Sequence, residues 1–73
     1  MNTKLVGMAY AKNVLKKTQG NKKSLKLKDA TIAMQMNGDI VLAVGRTIED
    51  YLEEMAEYNL IEFNKKSNTI KVL

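Results

Sequence analysis

Seventy-three residues, 45% of them hydrophobic and none of them Cys or His, leave room for one small core held by packing alone. They exclude a disulfide framework and the usual zinc sites. The net charge of +4 is modest but segregated: residues 1–28 hold eight Lys and no acid, residues 29–64 hold all eight acids against Arg46 alone, and residues 65–73 add three Lys. A basic end of this kind attracts phosphate, or serves as a solvated Lys-rich face that keeps a small protein in solution. The sequence has no apolar run of about 18 residues and no secretory-signal pattern. It is therefore expected to be one cytoplasmic domain spanning residues 1–73.

Residues 3–18 are predicted to be a helix. Leu5, Met8, Ala9 and Leu15 should share one face, with Val6, Tyr10 and Val14 beside it. Lys16 and Lys17 suit the negative end of the helix dipole, and Gly20 is a natural stop. The apolar sector is wide for a short surface helix: it covers the core, or part of it meets a second copy. A homodimer is the expectation.

Residues 24–28 alternate apolar and charged, the pattern of a short half-buried strand. Asp29 is then the expected N-cap of a helix over 29–37, with Ala30, Ile32, Ala33 and Met36 inward. Asn37-Gly38 is also a strong hairpin signal, which would instead make strands of 31–36 and 40–44. The Met and Ala content of the first segment favours helix, while 39–45 stays open between a strand and an extra helical turn.

Residues 47–58 carry the clearest periodicity. Thr47 and Asp50 form a variant capping box, and Ile48, Tyr51, Leu52, Met55 and Tyr58 make an apolar stripe. Glu49, Asp50, Glu53, Glu54 and Glu57 cover the opposite face, and Asn59 can take the left-handed conformation that ends a helix. Residues 60–73 read as a hairpin, Leu60–Phe63 and Thr69–Leu73 around a polar loop at 64–68.

Catalysis finds little support. The commonest general base and the most reactive nucleophile are both missing, and no Gly-rich phosphate loop follows a strand. Five of the eight carboxylates have the spacing of a solvated helix face. Glu49, Glu53 and Glu57 align at i, i+4 and could meet a cation, but exposed Glu ladders are common. The chain is expected not to be an enzyme and to carry neither cofactor nor metal.

Three stretches set the order of elements: Leu25-Lys26-Leu27-Lys28-Asp29-Ala30, then Arg46 through Met55, then Tyr58-Asn59-Leu60-Ile61-Glu62-Phe63 through Lys71-Val72-Leu73. This order resembles the winged helix-turn-helix family over most of the chain, most strongly over 46–73. The resemblance implies an α+β fold: a helix, a short strand, two helices and a C-terminal β-hairpin wing. It also implies a transcriptional or replication regulator that binds double-stranded DNA. Two features depart from the family. The connection between the two central helices is long, and the helix in the recognition position is acidic where base and phosphate contacts need donors. Ile40 through Ile48 also resembles the strand-Gly-Arg-helix element of Alba-type chromatin proteins, which have no place for residues 21–37. Both families bind nucleic acid.

The candidate DNA contacts are Lys22, Lys23, Lys26 and Lys28 around the short strand, Lys65 and Lys66 at the wing tip, and Arg46 and Thr47 at the helix start. The alternative is a protein-interaction module, such as a small phage-type inhibitor. It would dock a basic partner on Glu49, Asp50, Glu53, Glu54 and Glu57.

Overall fold

The computed structural model describes residues 3–37 and 45–73. Its elements are α1 (Thr3–Gln19), β1 (Leu25–Lys26), α2 (Leu27–Gln35), α3 (Ile48–Glu57), β2 (Ile61–Asn64) and β3 (Thr69–Val72). The strands form one antiparallel sheet in the order β1-β3-β2. The fold is thus α+β with a winged-helix-like layout: helix, strand, two helices and a C-terminal hairpin. No helix among the described residues is long and apolar enough to cross a membrane.

Met8, Ala11 and Leu15 recur at three- and four-residue spacing and are the fully buried side chains of α1. The expected face was turned too far, because Leu5 and Ala9 are exposed. The helix ends where Gly20 takes φ +59 and its N–H bonds the Lys16 carbonyl at 3.0 Å, a conformation that costs Gly little.

The region after Gly20 corrects the sequence reading in three ways. The strand is only Leu25–Lys26, and Leu27 already opens α2. Asp29 is therefore not the N-cap: that position is Lys26, in extended conformation and without a side-chain cap. The carbonyl of Asn68 accepts the Leu27 N–H at 2.8 Å instead, so the wing turn supplies the acceptor that a cap would give. Asp29 stays in the first turn, where a carboxylate suits the positive end of the dipole.

The earlier start also shifts the inner face of α2. Ala30 and Met34 are buried, Ala33 is half-buried, and Ile32 and Met36 are exposed. Because 31–35 is helical, the strand pairing proposed around Asn37-Gly38 is overturned. The open question over 39–45 falls almost wholly outside the described residues.

In α3 both arms of the capping box are present. Asp50 N–H donates to Thr47 Oγ1 at 3.1 Å, and Thr47 N–H donates to Asp50 Oδ2 at 3.1 Å. Leu52 and Met55 are buried and Ile48 and Tyr51 half-buried, as the stripe requires; Tyr58 is exposed. Asn59, at φ 61, ends the helix.

The bond from the Thr47 backbone N–H to the Asp50 carboxyl, and then a contact from the Thr47 side chain, hold that carboxyl below its usual range, with burial opposing and Arg46 adding a smaller pull downward. A lowered carboxylate stabilises the fold at pH above its ordinary value, and that contribution is lost as pH falls through the lowered one. Urea denaturation across the acid range should show a steeper loss of stability in the wild type than in Asp50→Asn. Parallel profiles would contradict the capping role. At neutral pH, Thr47→Ala should cost about 1 kcal/mol, the usual effect of removing a cap.

Phe63 lies opposite Ile70 and Ile61 opposite Val72, which fixes which face of the hairpin is apolar. The core gathers Met8, Leu15, Leu25, Met34, Leu52, Met55, Ile61 and Ile70, so every element contributes to it.

Candidate nucleic-acid interface

The basic surface begins at the turn after α1. Gln19, a residue the sequence did not single out, fixes it in place. Its Nε2 donates to the Lys22 carbonyl at 2.9 Å, and its Oε1 accepts the Val72 N–H at 2.9 Å. One side chain thus ties the turn bearing Lys22 and Lys23 to β3, and both lysines are exposed. Only its spacing, one residue before the helix-stopping Gly, marks it in sequence.

Lys26 pairs in register with Thr69, while its neighbour Leu25 points into the core. Strand alternation therefore turns Lys26 outward. Lys28 follows in the first turn of α2 and is also exposed. The wing turn at 65–68 closes this region. Asn64 Oδ1 accepts the N–H groups of Lys66 (3.0 Å) and Ser67 (3.2 Å), and the Ser67 and Thr69 hydroxyls lie 2.7 Å apart. Lys26, Lys28, Ser67 and Thr69 line a groove of about 680 Å³ between the start of α2 and the wing.

On the other side of the wing turn the cations are paired with acids. Lys65 pairs with Glu53 of α3, and Arg46 Nη2 lies 3.2 Å from Glu54 Oε2. The hydrogen bond that Lys65 donates to Glu53, and then the charge of Glu53, raise Lys65 above the ordinary lysine value. Such exposed pairs add little stability. Their effect is electrostatic, because two candidate DNA contacts are engaged by the carboxylates of α3. Thr47 is likewise taken up by the cap.

The eight candidates therefore divide. Lys22, Lys23, Lys26, Lys28 and Lys66 are exposed and make no ion pair among the described residues. Lys71 joins the outer sheet face two residues from Thr69, but Glu62 sits opposite it in register. Alternation within Thr69-Ile70-Lys71-Val72 would have found it. Arg46, Asp50, Glu53, Glu54 and Glu57 line an acidic cleft on α3. Among the described residues no group of three acids is placed to hold a metal, so the Glu49/Glu53/Glu57 spacing builds no such site.

No protein-family model, curated protein or solved structure matches this chain.

Proposed function

We propose that this chain is a small protein that binds double-stranded DNA, a transcriptional or replication regulator. It meets the duplex through the turn at 20–23, β1, the start of α2 and the wing turn. The observation that carries this reading is the partition of charge across the wing. The unpaired lysines lie on the α2 side, where Asn68 touches Leu27. The five acids of α3 lie on the other side, where Lys65 meets Glu53.

A polyanion gains by releasing counterions to the first surface and is repelled by the second. The duplex therefore lies against the lysines, with α3 held off the groove. Lysine contacts to phosphate set position and carry no sequence information directly, so binding is largely tolerant of sequence.

A direct test is Glu53→Gln, which removes one repulsive charge and releases Lys65. Duplex affinity, measured by fluorescence anisotropy at low salt, should rise or stay level. Abolished binding would transfer the working surface to α3.

The acidic cleft, with Glu57 unpaired beside it among the described residues, favours a second reading: docking of a basic protein. A stoichiometric complex with such a protein that survives high salt would support it over the duplex.

A further inference from the structure

Seven large hydrophobic side chains are exposed among the described residues, and five of them, Leu5, Val6 and Tyr10 of α1, Ile32 of α2 and Met36 at the α2 C-cap, belong to the two helices and their cap. Scattered exposure needs no explanation, but exposure concentrated on two adjoining helices marks a contact surface. Met36 is 82% exposed and Ile32 43%. With the half-buried Val14 they line an open groove of about 590 Å³ between α1 and α2. Tyr10 Oη donates to Asn37 Oδ1 at 3.2 Å, which holds the outer face of α1 to the end of α2. Lys22 and Asp29 are the charged residues of the groove lining.

We infer that this groove is the interface of a homodimer with two-fold symmetry. A two-fold contact sets a surface against itself, so a patch of one charge sign would repel its copy. This patch carries one cation and one anion. Lys22 of each protomer can meet Asp29 of the other, while Val14, Ile32 and Met36 cover each other's apolar surface. Methionine has the flexibility and polarisability to fit such a contact. A strongly basic or acidic partner is not favoured, because the two lining charges cancel.

Pairing takes Lys22, which lines the groove, out of the duplex surface, whereas Lys23, Lys26, Lys28 and Lys66 do not line it and are left for a duplex. The dimer does not depend on the DNA reading, since mass is measured without DNA.

The test is sedimentation equilibrium from about 1 to 100 µM, the range of weak to moderate protein contacts. The wild-type chain should reach twice its monomer mass. Met36→Glu, at an exposed position, should keep its far-UV circular dichroism and weaken the dimer at least about tenfold, a step of 1.4 kcal/mol. Lys22→Glu should weaken it several-fold, and the double variant Lys22→Glu/Asp29→Lys should recover it. A monomeric wild type across this range, or a dimer indifferent to Met36→Glu, overturns the inference. A folded double variant no tighter than Lys22→Glu overturns the charge pairing that orients it.

Discussion

Leu52→Ala is expected to lower the unfolding free energy by about 2–5 kcal/mol, the cost of a buried cavity that neighbours refill only in part. Leu52 is fully buried on the inner face of α3, in one cluster with Met8, Met55 and Ile61. A domain of this size draws on a total of about 5–15 kcal/mol, and a small one sits toward the lower end. The variant should therefore be partly unfolded at ambient temperature. Urea denaturation followed by circular dichroism reads the loss directly. A shift under about 0.5 kcal/mol, the range of ordinary surface substitutions, would place Leu52 outside the core.

The second large effect concerns the lysines. Lys23→Ala/Lys26→Ala/Lys28→Ala/Lys66→Ala should weaken duplex binding on most sequences. It should also flatten the dependence of log K on log salt by roughly one unit for each phosphate contact removed. Lys65→Ala should do far less, because Glu53 already neutralises that charge. The sequence treats Lys65 and Lys66 as equals at the wing tip; the structure separates them. Equal losses from Lys65→Ala and Lys66→Ala would mean that the Glu53 pair opens in the complex. A salt slope unchanged in the fourfold variant would remove the basic face from the account.

What was legible in the sequence follows from how local each signal is. The α3 boundaries were readable because Thr47, Asp50 and Asn59 act through bonds or dihedral preferences within a few residues. The hairpin was readable because its alternation and polar loop are also local. The start of α2 was not, because its first N–H is satisfied by Asn68, 41 residues away in the chain. Without that partner in view, Asp29 is the better cap, and the helix is placed two residues late with the wrong inner face.

The candidate site divides in the same way. Exposure of Lys22, Lys23, Lys26, Lys28 and Lys66 follows from composition and alternation. The engagement of Lys65 with Glu53 depends on how the wing lies across α3, and a sequence does not carry that distance. Gln19 escaped notice for the same reason, since its second bond reaches Val72.

The central claim is that the duplex lies on the lysine side of the wing and not along α3. Amide chemical-shift mapping of the isotope-labelled chain, titrated with a short duplex at low salt, tests it most directly. Shifts should cluster at residues 23–28 and 66–69, with the amides of 49–57 little changed. Shifts confined to 49–57, or none at saturating duplex, would contradict it.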